Sequence, residues 1–315
     1  MSTICGVGQY EAQMKKASVF DKSNKGFIKR PRKRVKIIVL LAIVAVSIVL
    51  YVDRRHAGPG VGKKFNVPAS GFAATSAAKT LRVATFNIHS GKGKDNRIDL
   101  ERIASQLQNV DIVGLNEVRG SEWFGESSQA CILGEKLKMP WLFVPGEKRW
   151  GRRDFGNGAL CRLPVESWLR LPLPNKRDHG RRNMLLLRVI HQERPINVLI
   201  VHIVNTEEDA RQLHSVIDLF LSLKEPAILM GDLNTRVHNP LLRSLLDRPD
   251  VQTAVDHRLG EENLIDWIIF RGLVRLNSKI YPVGASDHPA LHVELAWPED
   301  NVSGLGGSTR AANSN

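Results

Sequence analysis

From Leu81 to Leu295 the chain is cut into short apolar runs of strand length, and polar residues close or interrupt almost every one. Asn87 stands in TFNIH and Glu117 follows VGLN. His202 interrupts VLIVHIV, Asp232 and Asn234 follow AILMG, Asp266 sits inside LIDWIIF, and Asp287 and His288 lie in GASDHPAL. Each has an ordinary explanation taken singly, since strand-end Asn and Asp are common turn or cap residues. As a set they supply carboxylates, amides and imidazoles from several strands. Those groups converge if the strand ends share one rim.

The runs imply a mixed α and β domain. Leu81 to Ile88 and Val110 to Leu115 read as buried strands, and Leu100, Ile103, Ala104 and Leu107 recur at helical spacing between them. Met184 to Ile190 and Ile196 to Val204 form a second apolar pair around the polar turn HQERP. Thr206 and Asp209 have capping-box spacing before a helix whose face is Leu213, Val216, Ile217 and Phe220. Ala227 to Met230 is a short buried strand. Asn239 and Pro240 fit an N-cap and first helical position. Ile265 to Phe270 and Pro289 to Leu295 are the final strands, the last alternating apolar residues with His292 and Glu294.

Outside that domain, residues 1–34 are polar and basic and read as a disordered cytoplasmic arm. Residues 35–52 contain the uncharged run IIVLLAIVAVSIVLYV, which predicts a transmembrane helix. Residues 53–79 read as a linker, 80–297 as the folded domain, and 298–315 as a disordered tail. The basic residues before Ile37 predict a single-pass membrane protein with a cytoplasmic N-terminus and an extracytoplasmic domain. A cleaved signal peptide is the rival, with an unusually long basic region.

Net charge separates the two regions. Residues 1–56 hold 12 Lys+Arg and 3 Asp+Glu, a net of +9, whereas the remaining 33 Lys+Arg and 29 Asp+Glu leave +4. The overall basicity therefore says little about nucleic acid. Residues 148–194, with 12 Lys+Arg against 4 Asp+Glu, form a local cluster that is either a solvated surface or a field attracting phosphate. Cys5, Cys131 and Cys161 have no regular spacing, which argues against a disulfide framework or zinc site; a Cys131–Cys161 bridge stays open.

In order, TFNIH, LNEVRG, FGNGALCRLPV, VHIV with ARQLHSV, ILMGDLNT, LIDWI and ASDHP resemble the successive motifs of the endonuclease/exonuclease/phosphatase superfamily, across about residues 80–297. The resemblance implies a four-layer α/β sandwich of two mixed β-sheets flanked by helices, with the active site at one rim. It implies a hard divalent cation, Mg²⁺ or Mn²⁺, held mainly by Glu117 with Asn87 and Asp287. It implies that Asp232 orients or deprotonates the attacking water, that Asn234 holds a phosphoryl oxygen, and that His202 and His288 bind phosphate. Asp266 would hold one ring nitrogen of His288. Arg182, before Asn183 and an apolar strand, is similar to a phosphate-binding Arg of tyrosyl-DNA phosphodiesterase-like members. Asn116 stands where the family often has Gln. LIDWI lacks the Cys-Asp-Arg pattern of inositol polyphosphate 5-phosphatases and is similar to the IDYI motif of generic bacterial members. Asp154 or Glu147 is the expected partner of His202.

The expectation is a membrane-anchored, metal-dependent phosphoesterase that hydrolyses a phosphodiester in nucleic acid or a nucleotide. No obligate protein partner is implied. The alternatives are a phospholipid or inositol-phosphate phosphoesterase, for which exposed Trp123, Phe124 and Trp150 at the rim would argue, and a non-catalytic membrane-anchored binding domain.

Overall fold

The structure is a computed structural model that describes residues 33–52, 55–69, 71–72, 78–122, 125, 127–149, 153–175, 181–205, 210–256 and 263–300. An apolar N-terminal helix, α1 (Lys33–Val52), is present. Its continuous run of described side chains, residues 35–48, is exposed. Among the described residues no helix is long and apolar enough to cross a membrane. The transmembrane helix predicted over 35–52, the membrane partner and the single-pass, extracytoplasmic localisation are corrected accordingly.

The rest of the described chain builds two mixed seven-stranded sheets. The first contains β1 (Arg55–His56), β3 (Leu81–Asn87), β4 (Ile112–Arg119), β5 (Trp141–Lys148), β6 (Phe155–Cys161), β13 (Val274–Tyr281) and β14 (Ala290–Ala296), in the order β1-β5-β6-β4-β3-β14-β13. The second contains β2 (Gly60–Gly62), β7 (Val165–Pro172), β8 (Asn183–His191), β9 (Arg194–His202), β10 (Ala227–Asp232), β11 (Gln252–Thr253) and β12 (Asp266–Arg271), in the order β11-β12-β10-β9-β8-β7-β2. The segment read as a linker thus supplies an edge strand to each sheet.

Alternation along the strands explains the layers. Val83, Ile200, Ile228 and Met230 point between the sheets into one core. Their chain neighbours Ala84, Leu199, Val201 and Leu229 point outward and are covered by helices. Residues of α2 (Leu100–Gln106) and α3 (Gln129–Leu137) cover the first sheet, and those of α4 (Ala210–Ser222) and α5 (Pro240–Leu246) the second. Strands buried on both faces read as continuous apolar runs, which is why period-2 alternation is weak in most of them. The parallel pairs β3–β4 and β9–β10 each take a helical crossover, α2 and α4.

Local chemistry sets the boundaries. Asp99 caps α2 through the Glu101 and Arg102 N–H groups, and Asn239 caps α5 before Pro240. The HQERP turn is tighter than expected: β8 and β9 extend through His191 and Arg194, leaving Gln192 and Glu193, both with positive φ, as a two-residue hairpin loop. The Thr206–Asp209 cap, residues 1–32 of the arm and the tail from residue 301 lie outside the described residues, and Lys33 and Arg34, read as the end of the arm, open α1.

Candidate active site

Register brings the polar residues together. In the second sheet Asp232, at the end of β10, pairs with His202 at the end of β9 and with Asp266 at the start of β12. In the first sheet Asn87, ending β3, pairs with Asn116 of β4. Side chains directly opposite across a ladder share a face, so each row presents its groups at one edge of the sandwich.

A buried amide chain ties the two rows. Asn116 accepts from the Asp232 N–H at 3.0 Å and donates to Val201 O and Asn157 Oδ1, both at 2.9 Å. Asn157 donates to Asn183 Oδ1 at 3.1 Å, and Asn183 donates to Pro145 O at 2.9 Å. Gly231 permits this approach: its φ is +134°, and a Cβ there would lie 1.9 Å from Val201 O. That is a steric reason for glycine in ILMGDLN.

Asn87 Nδ2 is the hub, lying 2.9 Å from Asp232 Oδ2, 3.4 Å from Glu117 Oε1 and 3.5 Å from His288 Nε2. Glu117 is aimed by a bulge: the β4–β6 register shifts between Leu115 and Val118, and Glu117 has φ +58°. His288, two residues before β14, sets Nδ1 at 2.7 Å from Asp266 Oδ2 and Nε2 at 3.9 Å from Asp232 Oδ2. His202 Nε2 is 3.6 Å from Asp232 Oδ2. Asn234, at φ +43°, gives its backbone N–H to Asp232 Oδ1 and its amide to Ile203 O, each at 2.8 Å.

Electrostatics divides these groups by role. Burial, with the Asp266 charge added, pushes the Asp232 carboxyl up to about 7, although His288, the Asn234 N–H and Asn87 oppose it. Burial also raises Asp266 against its hydrogen bond to His288. Burial disfavours charge on His288, yet the hydrogen bond and charge of Asp266, with Asp232 and Asp287, outweigh it and raise His288 to about 9. His202 goes the other way: burial, then the charges of Arg182 and His288, holds it well below the usual imidazole range and neutral. Burial lowers Arg182, while Glu117, Asp232 and Glu147 favour its charge.

The expected partners of His202 are engaged elsewhere. Glu147 is engaged by the Arg149 guanidinium at 2.6 Å, and Asp154 accepts the Arg149 N–H at 2.8 Å; among the described residues neither pairs with His202. Asp287 is half exposed, touching Ser286 Oγ at 3.2 Å and His89 Nδ1 at 3.4 Å. Cys131 and Cys161 are free thiols. Trp123, Phe124 and Trp150 lie outside the described residues. Sequence reasoning assigned no role to His89 or Arg119, although both stand inside quoted motifs. The signal was position: each lies two residues beyond a residue already singled out.

One donor atom each from Asp232, Asp266 and His288 lies within 4.8 Å of the others, a set that could hold a metal ion. The 2.7 Å His288–Asp266 contact is a hydrogen bond, however, and a protonated imidazole does not ligate. Glu117 offers a harder oxygen donor beside it, with the Asn87 amide nitrogen 3.4 Å from its carboxylate.

The sequence matches the Endonuclease/Exonuclease/phosphatase family over residues 84–288. The chain belongs to this family. Members of the endonuclease/exonuclease/phosphatase family are hydrolases acting on phosphoester bonds. Solved structures of similar fold include an endonuclease/exonuclease/phosphatase from Beutenbergia cavernae DSM 12333, at 22% identity and TM-score 0.57 over 70% of this chain and 72% of that one. Humanized D. rerio TDP2 matches at 17% and 0.55 over 69% and 99%. The human Nocturnin catalytic domain matches at 14% and 0.52 over 70% and 94%. No curated protein matches the sequence.

Proposed function

We propose that this chain hydrolyses a phosphodiester, in nucleic acid or a nucleotide, by attack of water at the rim where the two sheets meet. The carrying observation is the pair formed by Asp232, at about 7, and His288, at about 9, with 3.9 Å between them. A carboxylate poised near neutrality takes a proton from water, and a charged imidazole beside it stabilises negative charge growing on the phosphoryl group. Neutral His202, Asn234 and Arg182 line the same rim and are suited to phosphate oxygens. A TDP2 structure of the same fold is described as complexed with single strand DNA product, which favours nucleic acid over lipid.

Glu117 fits a hard divalent cation: it makes no ion pair among the described residues. Asn87 fits beside it as a positioning residue, since its amide nitrogen lies 3.4 Å from Glu117 and 2.9 Å from Asp232 while its Oδ1 accepts the His89 N–H. Glu117 would hold Mg²⁺ or Mn²⁺, with Asn87 and Asp287 supporting it from the rim. The ion would supply charge stabilisation at a phosphoryl oxygen. The deciding assay is hydrolysis of bis-p-nitrophenyl phosphate and of short single-stranded DNA or RNA with Mg²⁺ or Mn²⁺. Absence of turnover on every phosphoester offered would return the chain to the reading of a non-catalytic binding domain.

A further inference from the structure

A cleft of about 820 Å³ beside the rim is lined, among the described residues, by four cations, Lys92, Arg119, Arg149 and Arg153, and by no carboxylate. It adjoins the site because Arg119 ends β4 two residues past Glu117. The guanidiniums are positioned. Arg119 donates to Ser90 Oγ at 2.9 Å, and its backbone N–H is held by Gln129 Oε1 at 3.0 Å. Arg153 donates to Gly120 O at 2.7 Å and Ser127 O at 3.0 Å. Arg119, Arg149 and Arg182 all lie over the Phe155 ring, 4.9, 5.3 and 5.7 Å from its centroid. Packing around Phe155 thus holds like charges together from the catalytic rim into the cleft. Burial, and then the Arg149 charge, lower the Arg119 pKa, with Arg153 adding to the effect and the Glu117 and Glu147 charges opposing it. Like charges gathered this way favour an anion between them. Leu100 and Ile132 line the same cleft and give it an apolar side.

We propose that this cleft holds a neighbouring phosphate of the substrate, with the adjoining base or sugar against Leu100 and Ile132, so that the substrate is a single-stranded oligonucleotide and not an isolated phosphoester. This rests on the phosphodiesterase reading of the adjacent rim. Arg149 is matched by Glu147, but an isolated phosphate at the rim would still leave Lys92, Arg119 and Arg153 gathered on one cleft; a chain of phosphates occupies both places at once.

Binding tests this without turnover. The full chain in EDTA is titrated with end-labelled tetrathymidylate by fluorescence anisotropy, with thymidine monophosphate and inositol trisphosphate as competitors. Wild type is expected to prefer the tetranucleotide over the mononucleotide by at least about tenfold. Lys92→Glu, whose ammonium makes no hydrogen bond or ion pair among the described residues, is expected to cut that preference about tenfold. Its log–log salt slope should fall by about 0.7, the contribution of one phosphate contact to a single strand. Arg153→Lys keeps the charge and should retain more of the preference than Arg153→Gln. Unchanged preference in Lys92→Glu and Arg153→Gln at an unchanged Tm overturns the proposal, as does inositol trisphosphate binding more tightly than the tetranucleotide. If wild type shows the charge-dependent preference but hydrolyses no phosphoester, the catalytic reading fails and the cleft stands. If it hydrolyses bis-p-nitrophenyl phosphate without any preference, the cleft fails alone.

Discussion

His288 Nδ1 lies 2.7 Å from Asp266 Oδ2, and Asp266 is the register partner of Asp232, so one buried carboxylate both orients the imidazole and raises its neighbour's pKa. The arrangement fixes which ring nitrogen is presented toward Asp232 and Asn87. His288→Ala should lower hydrolysis by roughly 10²–10⁴, the range for a positioned acid–base group. Asp266→Asn should cost less, since the ring remains. The double variant should cost little more than His288→Ala, because groups acting as a unit are non-additive. Turnover and Tm measured on the same samples separate this from a structural role; losses that simply multiply would show two independent contributions.

Glu117 tests the cation. Glu117→Gln keeps the volume and removes the charge beside Asn87. Bound Mn²⁺, read by titration, and turnover should fall together. EDTA should abolish wild-type activity, and added Mg²⁺ or Mn²⁺ should restore it. Full hydrolysis in excess EDTA would remove the metal from the mechanism.

Asn116 tests the tie between the sheets. Asn116→Leu leaves the Asp232 N–H, Val201 O and Asn157 without the partners they have at 2.9–3.0 Å. A buried group stripped of its partner costs about 1–3 kcal/mol, so urea unfolding should show a loss of at least that size. Asn116→Gln, with the same functional group on a longer chain, should recover part of it. Equal stability of Asn116→Leu and wild type would mean that the amide chain does not hold the rim.

Much of this was legible because the polar residues of the rim lie at or near strand ends, where they interrupt apolar runs. Asn87, Glu117, His202, Asp232, Asp266 and His288 all announced themselves that way. The edge strands β1 and β2 did not, because Arg55–His56 and Gly60–Gly62 carry no apolar pattern; the long strands β5 and β7 beside them fix their place. Strand β13 was also missed, since five of its eight residues, VRLNSKIY, are exposed on an edge. The partner of His202 was misassigned for a different reason. Charge proximity in sequence did not show that Arg149 would take Glu147 with its side chain and Asp154 with its backbone. The amide chain was invisible because Asn116, Asn157 and Asn183 lie in three motifs and meet only after the sheets pack.

His292 offers a test of burial away from the active site. It lies on β14 against the Tyr281 ring, with centroids 4.9 Å apart, and its Nε2 is buried without a hydrogen-bond partner. Burial lowers its pKa to about 4, with the Lys279 charge acting in the same direction and a hydrogen bond to the Gln106 backbone opposing it. In the unfolded chain an imidazole titrates near 6.5. Between about 4 and 6.5 the unfolded state therefore binds more protons than the folded one, and stability rises with pH through that window. The contribution is fully present above about 6.5 and is lost as pH falls toward 4. His292→Gln cannot titrate, so its urea midpoint should change less across this window than that of wild type. His191 and His202, also lowered by burial, remain in both proteins and cancel in the difference. The two stability curves should run parallel above pH 7 and separate progressively below it. Parallel curves down to pH 4.5 would mean that the folded state takes up the His292 proton without cost.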